Sequence, residues 1–260
     1  MMLLRSLGAL VCAAVLVGIG QSAVAQSVHV EGAVLKPGAF QWQDGARLHD
    51  ASVAGQVRSD AWFLGAALLR DSALESQQRL KAGVLFDLRV NRLHARSEND
   101  ASLLELIERL QAQVADMPVT GRVRAELNPF QLLLLPNNQL LQAGDRLVYP
   151  TRPTQVRVMG AVAADCVLAF DPAQALKHYL RQCPAHPAVD RNLVYVIQPD
   201  GQVREVGIAH WNEQQVDLAV CAVIYRPLRA AKISVDTADL NRDMAALLAT
   251  QYQLGGRFSE

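Results

Sequence analysis

Three arginines have the type and spacing best suited to ligand chemistry. Arg122 and Arg124 alternate after Gly121 in Gly-Arg-Val-Arg, which would put both guanidinium groups on one face of a strand and Val123 on the other. Arg70 ends an apolar run. A half-buried guanidinium offers a planar fork of donors that can hold a carboxylate or phosphate of an acidic glycan through two parallel hydrogen bonds. The same fork can pair with Asp or Glu inside the fold and pin a helical segment to a sheet, so both readings stay open. Trp42, Trp62 and Trp211 could stack on sugar rings, but each lies in an apolar stretch that suits core packing. Aromatic residues make up only 5% of the chain, which does not indicate an aromatic-lined sugar groove.

No catalytic motif accompanies them. The chain lacks a Gly-x-Ser-x-Gly elbow, a phosphate-binding glycine loop ahead of a helix, and His-Glu-x-x-His. His29, His49, His94, His178, His186 and His210 are scattered singly, without the spacing of metal ligands. The expectation is a non-enzyme without metal or cofactor; the enzymatic alternative is a carboxylate-pair glycan hydrolase, for which no pair stands out.

The N-terminus sets the expected compartment. Arg5 precedes an apolar run from Leu7 to Gly20, and Ala23-Val24-Ala25 forms a small-residue cleavage site. That layout predicts a cleaved secretory signal over residues 1–25, because 14 apolar residues fall short of the roughly 20 that span a bilayer. No later apolar run approaches that length, so no transmembrane span is expected after cleavage. The remainder holds 24 basic and 25 acidic residues, a balance without an electrostatic footprint for nucleic acid or anionic lipid. Cys166, Cys183 and Cys221 remain, none in Cys-x-x-Cys spacing. Four strand residues after Cys166 carry the chain about 13 Å away, and eleven helical residues return it by about 16 Å. Cys183 therefore comes back near Cys166. The alternatives are Cys183–Cys221 or three reduced thiols.

A repeat organises the chain. Val28-His29-Val30-Glu31-Gly32-Ala33-Val34 aligns with Val156-Arg157-Val158-Met159-Gly160-Ala161-Val162, and the same offset of 128 takes Phe40 to Leu168, Trp42 to Phe170 and Leu48 to Leu176. Both copies read as strand, turn, strand and helix, with helices expected over 45–54 and 172–182 and Asp171 as a cap. Both close alike, Leu141–Pro150 matching Leu218–Pro227. Pro199-Asp200-Gly201 signals a hairpin between 193–197 and 203–206. The order is α+β, one helix on a mixed sheet, and suits two tandem β-grasp domains over 26–150 and 151–230. The first carries a helical hairpin inserted at about 71–117, with apolar stripes Leu80, Val84, Leu88 and Leu103, Ile107, Leu110, Val114. Strands are then expected over 121–127 and 130–135. Residues 236–254 predict an amphipathic helix that docks on the body or on a partner.

Val-x-Val-x-Gly-Ala-Val, Pro-Gly, and Gly-Asp-Arg-Leu-Val-Tyr-Pro resemble the SLBB type of β-grasp domain. Together with Ala61–Arg70 before the insert, Val119–Val123 after it, and Asp239-Leu240-Asn241-Arg242-Asp243 at the last helix, the chain resembles the GfcC-type capsule biosynthesis family. That resemblance implies a periplasmic, non-catalytic protein of capsule or exopolysaccharide assembly and export, whose partner is polysaccharide or an outer-membrane export protein. A structural adaptor without glycan binding is the alternative. The second copy departs from the pattern, lacking Pro-Gly in its turn and Gly-Asp before its last strand.

Overall fold

A computed structural model describes residues 27–254 and 257–258 of the chain; the expected signal peptide lies outside them. Two five-stranded sheets dominate. The first contains β1 (Ser27–Gly32), β2 (Gly38–Gln41), β3 (Ala67–Leu69), β4 (Arg122–Val123) and β5 (Arg146–Tyr149) in the order β2-β1-β5-β3-β4. The second contains β6 (Gln155–Gly160), β7 (Cys166–Ala169), β8 (Leu193–Ile197), β9 (Val203–Gly207) and β10 (Val223–Arg226) in the order β7-β6-β10-β8-β9. The two orders are the same, strand for strand.

The registers agree as well. Val30 stands opposite Leu147 and Gly32 opposite Tyr149 in the parallel pair β1–β5; Val158 stands opposite Ile224 and Gly160 opposite Arg226 in β6–β10. Gly32 and Gly160 share a positive φ of 93° and 99°. A Cβ would lie 2.1 Å from the Tyr149 carbonyl oxygen in the first and 2.4 Å from that of Arg226 in the second. Both positions thus demand glycine for the same two reasons, conformation and close approach.

Each sheet carries one helix on an inner face. α1 (Leu48–Gly55) covers Val28, Val30, Leu68 and Leu147 in the first module, and α4 (Leu176–Gln182) covers Val156, Val158, Val196 and Ile224 in the second. Both helices start later than the pattern of apolar residues suggests. Asp171 accepts a hydrogen bond from the Ala173 amide within a turn, and α4 begins only at Leu176. Gly55 is the last residue of α1, where its missing side chain leaves room for Val30; Gln56 takes the left-handed position beyond it.

Between β3 and β4 the chain runs through α2 (Leu74–Ser97) and α3 (Ala101–Asp116). Asp100 caps α3 by accepting from the Leu103 amide at 3.0 Å. The apolar stripes of these helices do not close on the first sheet. They pack on the outer face of the second, with Val84, Leu88, Ile107 and Leu110 in one core with Met159, Ile197, Val223 and Tyr225. The last helix, α5 (Leu240–Ala249), completes that core with Leu240, Met244, Leu247 and Leu248. The central strands β6 and β10 of the second sheet are therefore covered on both faces.

α5 is shorter than the helix expected over 236–254. A 3-10 turn occupies Val235–Thr237, and Gln253–Leu254 form a strand, β11, paired with β12 (Arg257–Phe258). The docking alternative resolves onto the body: Asn91, buried in α2, donates to the Thr237 hydroxyl at 2.7 Å and accepts from the Ser234 amide at 2.9 Å. Beyond α5, Tyr252 packs with Ala67, Leu69 and Val148 on the outer face of the first sheet.

The stretch 130–135 is not a strand. It folds as a 3-10 turn at Gln131–Leu133 between Pro129 and Pro136, and of its leucines only Leu132 is buried. Strand β4 likewise covers just Arg122–Val123.

Cys166 and Cys183 form a disulfide with Cα atoms 5.9 Å apart and a sequence separation of 17. Closing a loop of that length stabilises by about 3 kcal/mol in the chain-entropy description. Cys166→Ser with Cys183→Ser is expected to lower the unfolding free energy by about that amount, read in urea unfolding as a lower midpoint.

Candidate functional site

Arg70, Arg122 and Arg124 do not converge on one open site. Arg70 follows β3 and is fixed to Asp145, which is only 1% exposed: its Nε lies 3.0 Å from Oδ1, and its Nη2 lies 3.1 Å from Oδ2 and donates to the Leu140 carbonyl at 2.6 Å. Asp145 also accepts from the Gln142 amide at 2.9 Å. The pair thus clamps the turn that delivers the chain into β5.

The second module performs the same task with one neutral residue. Gln198 stands at the position of Arg70, offset by 128, and Asp217 and Ala219 stand at the positions of Leu140 and Gln142, offset by 77. Gln198 donates to the Asp217 carbonyl at 2.7 Å and accepts from the Ala219 amide at 3.1 Å. An amide carries one donor group and one acceptor, so it replaces an ion pair whose two members supply them separately. This accounts for the absent aspartate before the last strand of the second copy, where Ala222 stands.

Arg122 lies at the contact between the modules. Its side chain is buried, donates to the Gln251 carbonyl at 2.6 Å and to the Pro199 carbonyl, and is joined by Gln77 donating to the Arg122 carbonyl at 2.8 Å. Burial lowers its pKa to about 10 against the opposing field of Asp200, which leaves it protonated at neutral pH. The adjoining crevice, bounded by Trp62, Cys221 and Tyr252, holds about 20 Å³, space for a single water rather than a sugar. Arg124, 63% exposed, lies 3.4 Å from Asp200 of the β8–β9 hairpin. Arg70 and Arg122 are therefore committed to protein acceptors, and Arg124 alone of the three faces solvent. Gln77, Asn91 and Gln198, which carry the linking hydrogen bonds, give no signal in the sequence because amides are common on polar surfaces.

Residues 165–252, which run from the edge of β7 to the end of α5 and its following turn, match the model of the family described as capsule biosynthesis GfcC C-terminal. The match spans 88 of the chain's 260 residues. A relative from Escherichia coli (strain K12), the uncharacterized protein YjbG, is 25% identical over 202 residues, covering 77% of this chain and 81% of its own length. Within the matched region, the motif Asp239–Asp243 has a structural task. Asn241 donates to the Leu228 carbonyl at 2.7 Å and accepts from the Leu228 amide at 2.9 Å, and the Tyr225 hydroxyl approaches the same oxygen at 3.2 Å. The start of α5 is thereby registered against β10 and the segment beyond it.

Among the described residues, a cleft of the second module and an uncharged loop are surface features that packing leaves unabsorbed. The cleft, of about 330 Å³, lies between residues 172–177 and 207–218. The loop is the stretch 127–143, which contains no charged residue and exposes Phe130, Leu133, Leu134, Leu135 and Leu140. Neither contains a catalytic constellation. Ser102 and His186 approach to 2.8 Å, but the other ring nitrogen of His186 accepts from the Ala188 amide. That arrangement puts the imidazole proton on the nitrogen facing the serine, the wrong tautomer for a base. Among the described residues, no three His, Cys, Asp or Glu side chains gather as a metal site.

Proposed function

We propose that this chain is a periplasmic, non-catalytic accessory protein of capsule or exopolysaccharide assembly and export. In this reading its two modules are β-grasp domains of the SLBB type and α2–α3 is an insertion in the first. The carrying observation is the GfcC C-terminal match over residues 165–252. The repeated strand order supports common descent of the modules, and the dense internal bonding of α2, α3 and α5 to the second sheet fits a rigid binding body.

A second reading, an adaptor that holds an export protein, is favoured by the uncharged loop 127–143, whose exposed Phe130 and leucines match an apolar partner surface better than a hydrated glycan. In the host, deletion of the gene is expected to reduce surface polysaccharide, and the tagged protein is expected in the periplasmic fraction without its first 25 residues. An unchanged polysaccharide level, or a cytoplasmic location, overturns the proposal. Co-purification of an export protein that is lost on Leu134→Asp with Leu135→Asp would select the adaptor reading over direct glycan binding.

A further inference from the structure

The geometry points to the cleft of the second module as a binding site for uncharged sugar residues, an inference that rests on the reading above and names its ligand class. The cleft, about 330 Å³, falls in the range of small-ligand sites, roughly 300–1,000 Å³. Its walls are 172–177, which lead into the first turn of α4, and the return from β9, Gly207–Ile208 and 213–218. The polar side chains on those walls are Gln174, Lys177, Glu213, Gln214, Gln215 and Asp217. Planar amides and carboxylates of this kind suit the paired hydroxyls of a pyranose, each offering a donor and an acceptor or two acceptors at fixed spacing.

Charge decides the class. Lys177 is bonded to Glu213 at 2.5 Å, which cancels the one cation of the cleft and leaves Asp217 as its net charge. An anionic glycan would meet a negative site with no arginine in it. A neutral hexose or N-acetylhexosamine meets amides without a desolvated charge to oppose it.

Trp211 does not line the cleft itself but stands next to its lining segments in sequence, where it offers an apolar face. It occupies the turn between the two lining segments 207–208 and 213–218 and is 77% exposed, contrary to the core packing its neighbourhood suggests. The turn is preformed. Asn212 donates to the Asn192 carbonyl at 3.0 Å and accepts from the Ala209 amide at 3.0 Å, while the Gln214 amide donates to the Gly207 carbonyl at 3.0 Å. Gln198 holds the far wall through the Asp217 carbonyl. An indole held in water by a bonded turn presents a flat face on which the C–H side of a sugar ring can stack.

The test uses the mature chain and a hydrolysate of the host's own surface polysaccharide, separated by anion exchange into neutral and acidic oligosaccharides. Calorimetric titration is expected to show binding of the neutral fraction, with a change in tryptophan fluorescence that disappears in Trp211→Phe. Trp211→Ala and Gln215→Ala, both at exposed positions, are each expected to weaken binding about tenfold while the urea midpoint stays unchanged. Failure of the neutral fraction to bind at millimolar concentration overturns the site, as does preference for the acidic fraction or binding indifferent to both variants. Those failures leave the polysaccharide loss in the deletion strain untouched, so they are distinguishable from failure of the proposed function.

Discussion

Asp145→Ala is expected to lower the unfolding free energy by about 3–5 kcal/mol, the cost of stranding one member of a buried ion pair. Asp145 is buried and meets the Arg70 guanidinium through both oxygens, so its removal leaves a cation, itself only 13% exposed, facing a turn with one acceptor fewer. The Gln142 amide loses its partner at the same time. The loss would be read in urea unfolding as a fall in midpoint.

The second module supplies the control. Gln198 makes both turn contacts without a charge, and Ala222 stands where the aspartate would be. Arg70→Gln in the Asp145→Ala background therefore copies a solution that the same fold already uses. The double variant is expected to regain most of the stability lost by the single one, and Arg70→Gln alone, which strands the Asp145 carboxylate, is expected to cost more than the double variant does. Rescue has a definite meaning here: the pair serves the geometry of the turn and not the affinity of a ligand. A double variant no more stable than Asp145→Ala would break the equivalence between the two modules.

The duplication explains what was legible. Identical spacing of Val, Gly and Leu across an offset of 128 marks positions whose side chains meet the same neighbours, and the strand registers at Val30 and Val158 follow from it. The stripes on α2 and α3 were equally readable, but not their destination. A stripe states that a face must be covered and is silent on what covers it; here the covering surface is the second sheet, many tens of residues downstream. Residues 130–135 misled for a related reason. Consecutive leucines read as a buried strand, yet Pro129 and Pro136 bracket them and no strand edge is offered to them, so Leu132 alone turns inward. The arginines were conspicuous by type, whereas their acceptors are backbone carbonyls, which every residue possesses and no sequence pattern singles out.

Arg122 shows the consequence of that blindness most clearly. As a ligand residue it would be removable without harm to the fold. As placed, it joins three parts of the chain: β4 that carries it, the Pro199 carbonyl of the second module's hairpin, and the Gln251 carbonyl after α5. Hydrogen bonds from a charged donor contribute roughly 1.5–3 kcal/mol each. Arg122→Ala is thus expected to cost about 3–5 kcal/mol, since it removes two charged hydrogen bonds to buried carbonyls and opens the crevice beside Trp62. Neighbouring bonds between the Thr120 hydroxyl and the Thr250 carbonyl, and between Gln251 and the Pro118 carbonyl, would be weakened with it. Hydrogen exchange should therefore accelerate at residues 198–202 and 250–252 ahead of the sheet interiors. Arg124→Ala, two residues beyond Arg122 and largely exposed, should change stability by less than about 1 kcal/mol. Equal, small effects of the two substitutions would mean that Arg122 does not hold the modules together, and would return it to consideration as a residue that binds something else.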